Sequence, residues 1–122
     1  MSLALVSVVD DDESVRESLP DLLRQHGLAS EAFASAGAFL ASESVGQTRC
    51  LILDVAMPRM TGPELQRELT RRRQHIPIVF ITGHGDAIDS STLLADGAVD
   101  CLFKPFSEAA LLNAVHAALR IG

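Results

Sequence analysis

Acid, hydroxyl and ammonium groups follow the short apolar runs of this 122-residue chain. The run Leu5–Val9 leads into an acid pair, and the apolar residues 50–53 lead into a lone acid. Branched apolar runs of this length are typical of strands buried on both faces of a parallel sheet. The carboxyl ends of parallel strands share one edge, and open α/β sheets bind ligands there. We therefore expect five side chains to converge at that edge: Asp10, Asp11, Asp54, Thr82 and Lys104.

The types of these side chains suggest a particular chemistry. Three neighbouring carboxylates repel one another unless protons or a cation neutralise them. A small set of oxygen ligands favours Mg²⁺, which retains several waters and is completed by a substrate phosphate. Asp54 is expected to be ionised at neutral pH, so it can attack phosphorus and become an aspartyl phosphate without a general base. Thr82 and Lys104 are then placed to hold the oxygens of the transferred phosphoryl group.

The elements that position these residues alternate between strand and helix. We predict strands over residues 5–9, 30–34, 50–53, 76–81 and 98–103. Helices are predicted to end at His26-Gly27, to cover 36–44, to begin at Thr61, to cover 87–96 and to begin at Ser107. Five strand–helix units joined by right-handed crossovers give an α/β fold, a parallel sheet with helices on both faces.

Composition limits the possible classes of protein. The length suits one domain with one core, and 48% hydrophobic residues can build it without metals or disulfides. The net charge of −6 argues against binding of nucleic acid by this domain itself. No apolar run approaches the length of a membrane span, and we expect a cytoplasmic protein. Cys50 and Cys101 are expected to be buried and reduced, and the basic run 71–73 to lie near a helix C-terminus.

Four motifs carry a resemblance to a known family: VVDDDE, LILDVAMPRMTG, ITGHGD and FKP, in that order along the chain. Together they make the sequence similar to the receiver domains of two-component response regulators. The loop ITGHGD and the segment AVDCLFKPF most resemble FixJ-type regulators, which usually carry a C-terminal LuxR-type output domain. On this resemblance, residues 1–122 form one receiver domain, and the output domain is expected to be absent from the chain.

The resemblance implies a flavodoxin-like (CheY-like) sheet with strand order 2-1-3-4-5 and a cis bond between Lys104 and Pro105. It implies that the domain catalyses only its own phosphorylation and dephosphorylation, with a sensor histidine kinase as partner. Phosphorylation is expected to alter the face of the fourth helix, fifth strand and fifth helix, and to favour a homodimer. DNA is then reached only through the output domain. The phosphoacceptor is Asp54, the phosphoryl-binding residues are Thr82 and Lys104, and the implied Mg²⁺ ligands are Asp10, Asp11, Asp54 and the backbone carbonyl of Ala56.

Three positions depart from the family pattern or vary within it. Cys101 stands where the last strand often carries an aromatic switch residue. Ala56 cannot orient an attacking water with its side chain, whereas His84 is long enough to reach over the site. We predict that Ala56 and His84 set the lifetime of the phosphoryl group.

Three alternatives have different requirements. A haloacid-dehalogenase-type phosphohydrolase has a second acid two residues after its nucleophile, where this chain has Ala56. A flavodoxin-like FMN carrier has a phosphate-binding loop after the first strand, where this chain is acidic. A degenerate receiver that acts only through protein contacts would not need the five polar residues Asp10, Asp11, Asp54, Thr82 and Lys104, all of which are present.

Overall fold

The structure is a computed structural model that describes residues 3–83 and 90–121. Its sheet has five parallel strands in the order β2-β1-β3-β4-β5, so the predicted topology is confirmed. The strands are β1 Leu5–Val9, β2 Ala29–Phe33, β3 Thr48–Asp54, β4 Ile78–Thr82 and β5 Asp100–Phe103. The helices are α1 Glu13–Gln25, α2 Ala36–Leu40, α3 Gly62–Arg71, α4 Ser90–Ala95 and α5 Glu108–Ile121.

Helices cover both faces of the sheet, and each face has its own apolar cluster. Val6, Val8 and Ile52 point toward α1 and α5, where Leu23 and Val115 are fully buried. The alternate residues point the other way, toward α2, α3 and α4, and meet the following buried side chains: Phe39, Leu65, Leu69 and Leu93. Because strand side chains alternate between faces, the same short strands supply both clusters. This burial holds the carboxyl ends of β1, β3 and β4 side by side.

Side-chain caps set the starts of the helices. The Asp12 carboxylate accepts from the backbone N–H of Ser14 and starts α1 directly after the acid pair. Thr61 and Glu64 form a reciprocal capping box at the start of α3. Ser107 accepts from the N–H of Ala110 at the start of α5, as the sequence predicted. In the described part of the chain, no helix is both long and apolar enough to cross a membrane.

Several predicted boundaries were wrong. The helix predicted over 36–44 ends at Leu40, because Ser42 donates to the carbonyl of Phe39 and caps a separate 3₁₀ turn, Glu43–Gly46. Strand β3 begins two residues earlier than predicted, and β4 and β5 each begin two residues later. Pro20 lies inside α1, and the helix runs through it although proline lacks the N–H of a helical hydrogen bond. The start of the helix predicted over 87–96 falls outside the described residues.

Candidate functional site

Three carboxylates meet at the carboxyl edge of the sheet. Asp10 directly follows β1, Asp11 comes next, and Asp54 is the last residue of β3. One carboxylate oxygen from each of these residues lies within 4.8 Å of the other two. Asp10 is fully buried, Asp54 is 4% exposed, and Asp11 faces solvent. The structure therefore brings together the acids that the sequence predicted would converge, with one open side.

Asp10 is held by several protein groups. Its Oδ1 accepts from the backbone N–H of Asp12 at 2.9 Å, and its Oδ2 accepts from Lys104 Nζ at 3.0 Å. Its backbone N–H donates to the carbonyl of Phe33, which continues the pairing of β1 with β2. Its backbone carbonyl accepts from Arg16 Nη1 at 3.0 Å. A buried carboxylate requires partners of this kind because an unpaired buried charge is costly.

Lys104 and Thr82 lie at the same edge as the acids. Lys104 follows β5, its peptide bond to Pro105 is cis as expected, and its backbone N–H donates to the carbonyl of Thr82 at 2.8 Å. Partial burial opposes the charge of Lys104, but the hydrogen bond and charge of Asp10, with the charge of Asp54, raise its pKa. Thr82 is fully buried at the end of β4, one residue beyond the partner of Asp54 in the register. Both predicted residues therefore lie on the edge that carries the acids.

The electrostatics of Asp54 correct one expectation. Burial, followed by the negative charge of Asp10, raises the pKa of Asp54 to about 7, and Lys104 only partly offsets this rise. In the chain by itself, burial and Asp10 therefore oppose the ionisation of Asp54 that the sequence analysis expected at neutral pH. An additional positive charge at the cluster would lower this pKa, because it favours the carboxylate.

The loop after Asp54 packs tightly against the end of β3. Gly62 donates its N–H to the carbonyl of Val55 at 3.0 Å. A Cβ atom on Gly62 would lie 2.4 Å from the carbonyl oxygen of Asp54 and 3.0 Å from the Phe80 ring. Ala56 is exposed in this loop, two residues after Asp54, and its assignment as a ligand remains a prediction. The sequence predicted a helix that begins at Thr61, but it did not predict this close approach of Gly62 to the end of β3.

The face expected to switch has exposed apolar groups. Phe103 is 55% exposed at the end of β5, and Leu94 on α4 is 44% exposed. Cys101 is half-buried on β5 rather than buried as predicted, while Cys50 is fully buried. The prediction about His84 lies outside the described residues.

These features define the class of protein. A parallel sheet of order 2-1-3-4-5, with an acidic cluster and a paired lysine at its carboxyl edge, is typical of a CheY-like receiver domain. The chain belongs to the response regulator receiver domain family, whose model matches residues 6–116.

Individual relatives agree with this assignment. Nodulation protein W of Bradyrhizobium diazoefficiens is 50% identical over 115 residues, which cover 94% of this chain and 51% of that protein. Transcriptional regulatory protein FixJ of Azorhizobium caulinodans is 44% identical over 114 residues, covering 93% and 54%. The solved structure of response regulator StyR superposes with a TM-score of 0.90 at 47% identity, covering 98% of this chain and 61% of that one. The chain thus spans about half the length of the curated relatives it matches.

Proposed function

We propose that this domain accepts a phosphoryl group from a sensor histidine kinase onto Asp54 and that this modification switches the protein. The observation that carries the proposal is the cluster of three carboxylates with oxygens within 4.8 Å, next to Lys104 at 3.0 Å from Asp10. Carboxylates are rarely crowded unless a cation or a shared proton repays the repulsion. Membership of the receiver family supports this interpretation.

The transfer of the phosphoryl group to Asp54 does not require a general base. A carboxylate oxygen of Asp54 attacks phosphorus, the bond from phosphorus to the kinase imidazole nitrogen breaks, and its electron pair stays on that nitrogen. The product is an acyl phosphate on Asp54. Because the pKa of Asp54 is about 7 in the chain alone, only part of the population carries the reactive carboxylate at neutral pH. Positive charge at the cluster raises that fraction.

The residues present fit a magnesium ion. The carboxylates of Asp10, Asp11 and Asp54 are oxygen ligands of the kind Mg²⁺ prefers, and Asp11 is open to solvent. Burial and the charge of Asp10 raise the pKa of Asp54 by more than Lys104 lowers it, so a further positive charge at the cluster would favour the carboxylate. Asp11, Asp54 and the carbonyl of Ala56 are proposed as direct ligands, with Asp10 acting partly through water. When bound, the ion would neutralise charge on the carboxylates and on the phosphoryl oxygens.

Lys104 and Thr82 are proposed to hold the other phosphoryl oxygens. Lys104 Nζ already lies at the cluster through its hydrogen bond to Asp10. Driving a two-state equilibrium from 1:99 to 99:1 takes about 5.5 kcal/mol of differential stabilisation. One hydrogen bond to a charged group supplies roughly 1.5–3 kcal/mol, so both residues are needed. Movement of Thr82 would be transmitted along β4 toward α4.

The proposed consequence is a homodimer through the face of α4, β5 and α5. The exposed Phe103 and Leu94 lie on this face, and β5 is an edge strand. In a protein of its relatives' length, this dimer would control a DNA-binding output domain in the cytoplasm. Residues 1–122 are then one receiver domain in which Ala56 and His84 set the phosphoryl lifetime.

Intact mass after incubation with Mg²⁺ and acetyl phosphate tests the phosphorylation. We expect one phosphoryl group on the wild-type chain and on Asp21→Asn, which changes an exposed acid on α1, and none on Asp54→Asn. An unmodified wild-type chain would favour a degenerate receiver that acts only through contacts. Light scattering with and without beryllofluoride tests the dimer, and a monomer under both conditions would contradict that part of the proposal.

A further inference from the structure

Arg16 makes an unusual contact with the acidic edge. It is half-buried on the first turns of α1, and its Nη1 donates to the backbone carbonyl of Asp10 at 3.0 Å. A cation near a helix N-terminus is unfavourable, because that end of the macrodipole is already positive. The neighbouring positions Asp12 and Glu13 carry the acids expected there. Arg16 is therefore better explained by what it holds than by its own helix.

The bonded carbonyl belongs to the peptide unit that joins Asp10 to Asp11. This unit is planar, so fixing its oxygen also fixes the direction in which the chain enters Asp11. The carboxylate of Asp10 is already held by Lys104 and by the N–H of Asp12. Asp11 is exposed, so burial does not fix the orientation of its carboxylate. The contact from Arg16 thus acts on the member of the acid pair that burial does not constrain.

We propose that Arg16 is a positioning residue for the acidic site, and this inference rests on the proposed function. Arg16 holds the Asp10–Asp11 peptide so that both carboxylates present their oxygens to one cation. It does not itself bind the ion, since a guanidinium repels a cation. Partners that orient metal ligands typically change metal affinity by about 10–100-fold when they are removed.

The sign of the effect separates positioning from simple electrostatics. Arg16→Met removes a positive charge near the cluster, and charge alone would then make a divalent cation bind more tightly. Loss of positioning makes it bind more weakly. Arg16→Lys keeps the charge, but its side chain is one bond shorter and does not place a donor where Nη1 lies. Positioning therefore predicts weaker binding in both variants, whereas electrostatics predicts tighter binding in the Met variant and little change in the Lys variant.

Arg24 offers a matched control on the same helix. Its Nη2 donates to the backbone carbonyl of Ser30 at 2.9 Å, so Arg24→Met removes the same type of bond near the other end of α1. Mn²⁺ affinity is measured from the free-ion EPR signal, and exchange of the Asp12 amide is followed by NMR in metal-free protein. We expect Mn²⁺ to bind about tenfold more weakly to both Arg16 variants, with faster Asp12 exchange, and normally to Arg24→Met.

The outcomes separate this inference from the proposed function. Unchanged or tighter Mn²⁺ binding by Arg16→Met would overturn the positioning role, even where Asp54 is phosphorylated normally. An equal loss in Arg24→Met would also overturn it, because the effect would then reflect general destabilisation. If acetyl phosphate does not modify the wild-type chain but Arg16→Met still binds Mn²⁺ more weakly than wild type, only the phosphoacceptor function is overturned. A wild-type chain that binds no Mn²⁺ would overturn the positioning role together with the proposed metal site.

Discussion

Replacing Gly62 with alanine should destabilise the domain, although this change usually stabilises a helix. Alanine has a better helix propensity than glycine by about 0.8–1 kcal/mol. At Gly62, however, the new Cβ would lie 2.4 Å from the carbonyl oxygen of Asp54, and Cβ contacts below 3.0 Å are essentially never seen. To remove this clash, Gly62 or the backbone at Asp54 must move by about 0.6 Å, and the backbone after Asp54 is hydrogen-bonded to β4. Overpacking of this kind costs about 1–3 kcal/mol, so we expect a net loss near 2 kcal/mol.

The same movement should slow phosphorylation of Asp54. The backbone that must shift carries the proposed phosphoacceptor, and a misplacement of 1 Å at a reacting group can cost about 100-fold in rate. A smaller displacement should therefore slow modification by acetyl phosphate by about tenfold. The free energy of unfolding is measured by urea titration with far-UV circular dichroism, because the chain has neither Trp nor Tyr. The rate is measured by intact mass.

Gly37→Ala is the matched control. Gly37 is the second residue of α2, and a Cβ there would meet only the Ser35 hydroxyl oxygen, at 4.0 Å, apart from its chain neighbours and the backbone of its own helix. This variant should be slightly more stable than wild type and should phosphorylate normally. If Gly62→Ala is as stable as Gly37→Ala, the close approach at the end of β3 does not constrain the chain and the reasoning is wrong.

Three further results are expected. Folding raises the pKa of Asp54 from 3.8 to about 7, so the folded state binds more protons than the unfolded state between these pH values. The free energy of unfolding therefore falls as the pH rises through this range. Urea titrations at pH 5 and pH 8 should show that Asp54→Asn loses most of this pH dependence. Burial raises the pKa of the Cys50 thiol to about 12. A thiol reagent at pH 8 should therefore modify half-buried Cys101 in the folded protein and Cys50 only after unfolding. Rapid labelling of both cysteines in the folded protein would contradict the burial of Cys50. Arg73 has a φ of 60° where α3 ends, so Arg73→Gly should stabilise the protein by about 1 kcal/mol, whereas Gly97→Ala, at a φ of 106°, should destabilise it by a similar amount in thermal melts.

The residue pattern determined the alternation of strands and helices and the residues that lie at the carboxyl edge, whereas the strand order was implied by the family resemblance. Apolar runs of four to six residues, each followed by a polar group, identify buried parallel strands and the edge at which they end. Local capping chemistry was readable as well, since Thr61, Glu64 and Ser107 act within their own turns. These features depend on side-chain periodicity and on contacts three or four residues apart, which a single sequence displays directly.

Only the tertiary structure decided where β3 begins. The pairing of β1 with β3 skips Arg49, which places Thr48 on the same face of the sheet as Ser7. Its hydroxyl donates to the carbonyl of Ser44 at 2.6 Å and accepts from Ser7 at 2.7 Å. Ser44 in turn donates to Glu31 at 2.8 Å. The bulge links the hydroxyls of Ser7, Ser44 and Thr48 to the carboxylate of Glu31. Ser7 and Glu31 lie far from Thr48 in the sequence, so the sequence around Thr48 does not predict them as partners.

The electrostatic state of the site was likewise decided by packing. The pKa of Asp54 is set mainly by burial and by Asp10, which is 44 positions away in the chain. Lys104 pairs with Asp10 across 94 positions, and Arg16 reaches back six positions to a backbone carbonyl. The residue types show which charges are available. Their energies depend on distance and desolvation, which exist only once the strands are assembled.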